Sequence, residues 1–494
     1  MKESDGREFD VVVVGTGIAG CAAMAAAVQK GLSVAVVERA TREEYGGNTR
    51  YTDGNMYMKS ENEVNDDFEE SFSTNAGYNL DPNLLTAIAS PYRDWPSMVK
   101  SHPLPDPEVI STFAASAGPT IQWLKEFGIK FDGTRPAHYM QSNTPPRIRP
   151  IGGGLAMIEA LSAYAQRQGA EFFYEHTANN LLLNDAGNVA GVIARNGTGF
   201  GTRIRGKAVV LACGGFEGNS EMLTHYLGRR AEFIRPVAPG GYYNKGEGIR
   251  MALEIGAAPA GDFGSYHGEL LDPRSKRYTC VMCYPFGIMV NALGDRFTDE
   301  GPPGNINTNY DQTARDIAEQ PRGIAYIIYD SRIDDVKNWK MTVRSDHPAI
   351  ESATLDGLAE KLEIPAEALK RTVAAYNAAC VQGTFNPHAE DHLATWELRP
   401  PKSNWARPLD RPPYGAYPVF SGNCFTFGGL KIDSQAQVID NDGRPIAGLY
   451  AAGETSGLYH QIYPSATSVM RGAVFGRIAG LAIAEKAGGR RSAE

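Results

Sequence analysis

The run FDVVVV (residues 9–14), followed at once by GTGIAG (Gly15–Gly20), constrains this chain more than any other stretch. A β-branched run, a glycine-rich turn and an alanine-rich segment form strand, turn and helix in that order. The G-x-G-x-x-G spacing gives each glycine a task. Gly15 makes the tight turn, Gly17 lets the backbone approach a pyrophosphate, and Gly20 lets the helix lie against the strand. An anion held there rests on the free N–H groups of a helix expected from about Ile18 to Lys30. A second strand, Leu32 to Glu38, completes a β-α-β unit, and Glu38 ends it where a carboxylate accepts the ribose hydroxyls of an unphosphorylated adenosine. The pattern reads as a dinucleotide cradle.

At 494 residues the chain is longer than one core usually supports, which predicts two domains. A net charge of −9 argues against a nucleic-acid partner, because such binding relies on basic patches that neutralise phosphates. From Val11 to Gln29 no side chain is charged, as in a membrane span, but the glycines and the change from β-branched to alanine-rich texture favour a soluble strand-turn-helix unit. A cleavable leader would discard the cradle, so a cytoplasmic protein is expected. Cys21, Cys213, Cys280, Cys283, Cys380 and Cys424 are too sparse for a disulfide framework. The pair in CVMC (Cys280–Cys283) has no companion Cys or His pair at metal-site spacing, so it reads as ordinary thiols and no metal is expected.

Further along, residues 152–175 read as an amphipathic helix feeding a strand, and NNLLLNDAGNVAGVIAR as a hairpin. KAVVLACGGFEGN (207–219) is a buried strand running into paired glycines, a second close approach of backbone to a ligand. Residues 270–412 change texture to proline-rich loops with two helical stretches, near 354–362 and 365–380, as expected of an inserted cap. The segment from TFGG to GLYAAGE then reads as hairpin plus strand, and a last helix is expected over about Thr467–Ala487. A helix start facing the ligand favours the negative charge that a reduced flavin, unlike a nicotinamide, gains at its pyrimidine edge. The expected fold is α/β: a Rossmann-like, glutathione-reductase-like nucleotide domain (1–269 and 413–494) with an inserted α+β cap (270–412).

VVVVGTGIAGCAAMAAA, ERATREEYGGNTRYTDG, ACGGFEGN, NKGEGIRMALEIGA, GIMVNALGDRFTDE, TFGGLKID and GLYAAGE together resemble the flavoprotein family of fumarate reductases, succinate dehydrogenases and 3-ketosteroid dehydrogenases. GGNTRYTDGNM, YPFGIMVNALGDRFTDEG and YHQIYPSATSVMRGAVFGRIAG look most like its tricarballylate dehydrogenase subgroup. The resemblance implies FAD. It implies that Gly15, Gly17, Ile18, Ala19, Gly20, Glu38 and Arg39 hold the adenosine diphosphate, and that Gly46, Gly47, Asn48, Thr49 and Gly54 pass beside phosphate and flavin. It places Ala178 at the adenine, Ala212, Gly214 and Gly215 near the nucleotide, Gly453 and Glu454 at the ribityl chain, and Ser468 and Val469 at the pyrimidine edge. Glu247 stands behind this site. Covalent members attach flavin through a histidine just before the Gly-Gly pair; here the stretch is REEYGG, so dissociable FAD is expected.

Three usual dicarboxylate-site residues of fumarate reductases are missing. Phe425 replaces the histidine of HTMGG, one arginine falls near Pro464, and the proton-donating arginine lands near Gly304. Desaturation beside a carbonyl removes an α-proton and a β-hydride, so it needs a base, donors for developing enolate charge, and a dry cap. By position in the family's segments, Tyr463, His460, Tyr284 and His267 are the catalytic candidates; each also reads as a structural residue, and Tyr463 as a buried tyrosine satisfied by backbone. For a carboxylate, Arg147, Arg149 and Arg50 are the guanidinium candidates, with Phe425 beside them. Arg147 and Arg149 share a face if extended. Surface ion pairs are the alternative for all three, and Arg296 reads as a cap brace.

The expectation is an FAD-dependent dehydrogenase of a saturated carboxylic acid, tricarballylate-like, acting by α-proton abstraction and hydride transfer to flavin N5. Its partners are a carboxylic-acid or ketone substrate and an electron acceptor: a separate protein, quinone or oxygen. The chain carries neither an iron–sulfur cysteine set nor a CxxCH haem motif. The rivals are a desaturase of cyclic ketones, an enoate reductase of the fumarate reductase kind, and a non-catalytic binding protein on the same fold.

Overall fold

The computed structural model describes residues 2–73, 86–133, 145–276, 280–304 and 306–491. The opening strand Lys2–Val14 sits centrally in an eight-stranded sheet. Its parallel neighbours are Val34–Val37 on one side, followed by Glu171–Phe173, and Gly201–Leu211 on the other, followed by Pro445–Ala451. Counted along the chain, the parallel strands lie in the order 3-2-1-4-5. The direction of winding therefore reverses between the opening strand and Gly201–Leu211, and ligands bind outside the carboxyl ends of strands at such a point. His176–Leu183 and Val189–Asn196 form the expected antiparallel hairpin, which joins the sheet through Gly201–Leu211. Gln437–Ile439 pairs antiparallel with Pro445–Ala451.

The uncharged stretch behind the cradle has a packing cause. In the opening helix, Ile18–Gln29, every residue from Ile18 to Val28 is buried, so it has no solvent face to carry charge. The last helix, Ser468–Arg491, covers it through glycines four residues apart. A Cβ added at Gly476 would stand 2.2 Å from the Ala19 carbonyl oxygen, and one at Gly480 2.6 Å from that of Ala23. Among the described residues no helix is long and apolar enough to cross a membrane.

The second sheet is antiparallel, in the order Tyr266–Leu271, Tyr414–Thr426, Ile324–Asp330, Ile288–Asn291. Ile350–Ser352 and Arg235–Pro236 also pair with Tyr414–Thr426. The helix Ile306–Ala318 packs on Tyr266–Leu271 and contributes Ala314 and Ile317 to the cap core; Leu355–Leu362 and Ala366–Ala379, both foreseen, build a second cluster. Two of the sheet's strands thus straddle the 269/270 limit and follow the 412/413 limit. Arg296 does brace the cap: it forks onto Glu300 and donates to the Pro400 and Pro401 carbonyls.

Gly476→Ala should lower the unfolding midpoint by the equivalent of about 1–3 kcal/mol, because its added carbon meets backbone that cannot swing aside. Gly488→Ala, in the same helix with open space around it, should leave stability unchanged or slightly raised. Equal thermal or denaturant midpoints for the two variants would remove the close helix contact from the account.

Candidate active site

A cavity of about 690 Å³ opens at the winding reversal and runs from Glu38 and Ala178 to Ser468 and Val469, then under the cap to His267 and Tyr310. Gly15, with φ +100°, has no room for a Cβ, which would lie 2.4 Å from the Ala212 carbonyl oxygen. Two strand ends are thereby drawn together. Gly17 caps the opening helix with no side-chain cap, and the helix's first turn has no acidic residue, so its N–H groups remain available to an anion. Ile18 donates its N–H to Thr49 Oγ1 at 3.1 Å.

Of the expected cofactor residues, Gly15, Gly17, Ile18, Ala19, Glu38, Arg39, Gly47, Asn48, Thr49, Ala178, Ala212, Gly214, Gly453, Glu454, Ser468 and Val469 line this cavity. Gly20, Gly46, Gly54 and Gly215 do not, and each is small for another reason. A Cβ at Gly20 would meet the Gly15 oxygen at 1.9 Å. Gly46 and Gly54 take positive φ against Ile158 and Pro150, and at Gly215 a Cβ would fall 2.2 Å from Glu454 Oε1. Glu38 is largely engaged: it accepts from Thr16 N (3.0 Å), from the Thr16 hydroxyl and from Ala40 N (2.7 Å). That leaves about one of its four acceptor positions. Arg39 is held by Glu247, the Tyr243 carbonyl (2.7 Å) and Thr177 Oγ1 (3.2 Å); Glu247, expected behind the site, itself lines the cavity.

At the far end, buried Glu217 stands beside Glu454, which is partly buried and lines the cavity. Glu217 Oε1 accepts from the amides of Asn48 and Asn244, both at 2.6 Å, and Glu454 Oε1 from Thr426 N at 2.7 Å. Burial and the neighbouring Glu454 charge push the Glu217 carboxyl well above the usual range. Glu217 therefore keeps its proton and donates it to Glu454, which gives its otherwise orphaned Oε2 a partner. Arg471, in the first turn of the last helix, is 1 % exposed. Its guanidinium lies 4.3 Å over the Tyr459 ring and donates to the Ser456 carbonyl at 3.2 Å.

The catalytic candidates separate. Tyr463 and His267 line the cavity with their rings 4.4 Å apart, and Phe425 closes the group at 5.0 and 4.9 Å. The Tyr463 hydroxyl accepts from Thr467 N (2.8 Å) and Ser468 N (2.9 Å) and donates to Ser468 Oγ (3.0 Å), the backbone-satisfied arrangement. His267 Nε2 is 2.7 Å from the Tyr310 hydroxyl, and its Nδ1 has no partner. Burial, with Arg315 nearby, pushes His267 down to about 3, so it is neutral. Tyr284 lies outside the cavity, fully buried in the cap core, because the turn Tyr284–Phe286 points inward. His460 also lies outside; it is partly buried near Asp262 and Lys431, and desolvation pushes it down to about 4.

The arginines separate too. Arg147 lines the cavity and donates to Ser465 Oγ at 2.7 Å; its Nε has no partner and no carboxylate lies within ion-pair distance among the described residues. Burial lowers its proton affinity, while Tyr310 and Tyr463 stand near enough to oppose this. Arg149 shares no face with it, because the ladder to Phe131–Asp132 draws it to the surface opposite Asp132 at 3.8 Å. Arg50 also misses the cavity and bonds the Tyr45 carbonyl at 3.3 Å.

Sequence reasoning missed Tyr310, Glu269, Cys424, Cys280, Arg344 and Arg471, all of which line the cavity. Only Arg471 had a local signal, the first charged residue of the last helix, in its first turn. The rest meet through tertiary packing, Glu269 and Cys424 through the register of one strand pair. The residues present fit FAD: an uncapped helix start for phosphates, a continuous cavity, and a buried guanidinium with a second helix start at the far end.

The family model described as FAD binding domain matches residues 10–469. The chain is 26% identical over 492 residues to vinyl phenol reductase of Lactiplantibacillus plantarum, covering 92% of this chain and 91% of that one. It is 30% identical over 367 residues to 4-oxocyclohexanecarboxylate 2-dehydrogenase of Sinomonas cyclohexanicum, covering 69% and 62%. The open conformation of a flavocytochrome c3 fumarate reductase superposes with a TM-score of 0.71 at 26% identity, covering 98% of this chain and 79% of that one. The chain belongs to the FAD binding domain family and is an FAD-dependent oxidoreductase acting on CH–CH groups.

Proposed function

We propose that the protein interconverts a compact monocarboxylic acid and its α,β-unsaturated form, with Arg147 binding the carboxylate. The observation that carries this is the guanidinium's lack of a counter-ion among the described residues. Of the four arginines lining the cavity, Arg39 is paired with Glu247, Arg344 with Asp53 (3.2 Å), and Arg471 is turned back over Tyr459 near Glu454. A half-buried guanidinium without a carboxylate is costly unless a ligand supplies one. One such cation matches one carboxylate, which counts against a tricarboxylate of the tricarballylate kind.

When bound, FAD supplies hydride acceptance and donation at N5. The chain supplies the rest. Tyr310, on the cap helix Ile306–Ala318, holds a proton at its hydroxyl, since burial raises its pKa well above that of an ordinary tyrosine. His267 fixes that hydroxyl through Nε2. Tyr310 is therefore read as the group that exchanges the substrate's α-proton, with Arg147 opposite to stabilise charge on the substrate oxygen or on the tyrosine. Tyr463 holds the start of the last helix, and Phe425 with the cap sheet excludes water. We read the expected domain division as a nucleotide domain (1–269, 413–494) and a cap (270–412) whose sheet reaches to Tyr266 and Thr426. A second reading, desaturation of a cyclic ketone, is favoured by the aromatic wall of Phe425, Tyr463 and His267, with Tyr310 donating to the ketone oxygen.

Anaerobic flavin bleaching by saturated acids, and reoxidation of reduced protein by unsaturated ones, tests this. Arg147→Met should raise KM for the acid by roughly 10-fold or more, and Tyr310→Phe should slow flavin reduction by about 10²–10⁴ with FAD affinity retained. Turnover of neutral ketones alone, indifferent to Arg147→Met, would replace the acid reading with the ketone one. The histidine-free REEYGG stretch supports non-covalent FAD: acid denaturation should leave all yellow colour in the supernatant and none on the precipitated chain.

A further inference from the structure

We infer that the cap side of the cavity is a binding site for a thiophilic divalent cation, zinc, held by His267, Glu269 and Cys424. The three arrive there through a sheet irregularity. His267 and Glu269 lie two apart on Tyr266–Leu271, and so on one side of it. The partner strand pairs Phe425 with His267 but Asn423 with Gly268, so Cys424 is an extra residue bulged out of the ladder. Such bulges re-aim a side chain. The result is an imidazole nitrogen, a carboxylate oxygen and a thiol sulfur all within 4.8 Å of one another.

Two further observations point to a ligand. His267 is 6 % exposed, yet its Nδ1 has no hydrogen-bond partner. A buried ring nitrogen left unpaired in this way is a cost that a metal bond removes. Its other nitrogen, Nε2, meets the Tyr310 hydroxyl at 2.7 Å, and metal-binding histidines are regularly fixed through the second ring nitrogen in this fashion. The Cys280 thiol donates to Glu269 and steadies the carboxylate from behind.

The donor set selects the ion. Nitrogen, oxygen and sulfur together suit zinc, whereas magnesium and calcium require oxygen alone. Metal–donor distances of about 2.0–2.3 Å place tetrahedral ligands nearer together than the present separation, a change within reach of side-chain rotation. The bond to sulfur replaces S–H: Cys424 releases its proton to solvent as the thiolate binds, with no electron transferred. The fourth position faces the cavity. An ion there stands at the end proposed above for the organic substrate, so zinc is also expected to inhibit turnover reversibly; that consequence rests on the proposed function, whereas binding does not.

Equilibrium dialysis of the flavin-loaded full chain against Zn²⁺, followed by metal analysis, should find one ion per chain. Cys424→Ser should weaken retention by roughly 100-fold, Glu269→Gln by at least about 10-fold, and Tyr310→Phe by about 10-fold through the imidazole it fixes. Co²⁺ in place of zinc should add a thiolate-to-metal charge-transfer band in the difference spectrum, absent from Cys424→Ser. Flavin content reports folding of each variant, and Glu269→Gln stands in should Cys424→Ser lose its flavin. Failure to retain zinc, or equal retention by wild type, Cys424→Ser and Glu269→Gln, overturns the site. Zinc retained without any effect on turnover would leave the site standing and count against the proposed placing of substrate.

Discussion

The close contact between the first and last helices is the constraint on which the remainder depends. Gly472 and Gly476 let the last helix reach the backbone of Ala19, and Gly480 that of Ala23. Two helix starts far apart in sequence therefore open into one cavity. Each start offers N–H groups and the positive end of a dipole. Both positive ends face the same space, so the same packing that stabilises the fold sets the polarity of the cavity. A side chain larger than hydrogen on that stripe would part the helices and misalign both starts together.

Between those ends, charge is distributed by burial. Glu217 and Glu454 cannot both ionise in a dry site, and sharing one proton leaves a single negative charge near Arg471. Arg147 has no carboxylate partner among the described residues. The contrast separates a cation balanced within the protein from the one on which the proposed reading rests. Tyr310 and His267 follow the same logic: both are kept neutral by burial, so their end of the cavity holds protons but little charge of its own.

Much of this was legible in the sequence wherever the signal was local. The cradle, the hairpin from His176, the strand into Gly214 and the last helix all follow from periodicity and turn residues within a short window. Arg147 was legible as a guanidinium near a helix start. Its separation from Arg149 was not, because that depends on a ladder with Phe131–Asp132. Tyr284 and His460 were placed by their order in family-like segments, and order does not fix which way a turn faces. Tyr310, Glu269 and Cys424 were invisible for a related reason. Glu269 and Cys424 meet through one bulge between strands some 150 residues apart in sequence, and Tyr310 reaches them from a helix packed on that strand pair; no local pattern encodes either contact.

That bulged strand also ties the antiparallel sheet to the residues around the cavity. Tyr414–Thr426 belongs to the cap sheet, yet its end is bonded into the nucleotide domain: Asn48 donates to the Cys424 carbonyl at 2.9 Å, and Thr426 N to Glu454 at 2.7 Å. The antiparallel sheet is thus pinned beside the Ser468 end of the cavity, where Phe425 and His267 pack against Tyr463. At the mouth the only charged link described between the lining residues of cap and nucleotide domain is Arg344 to Asp53, with side chains about half exposed (53% and 51%). An exposed pair of this kind contributes roughly 0–1 kcal/mol. The mouth is thus held by a weak exposed pair, whereas the inner end of the same cavity is held by hydrogen bonds from Asn48 and Thr426.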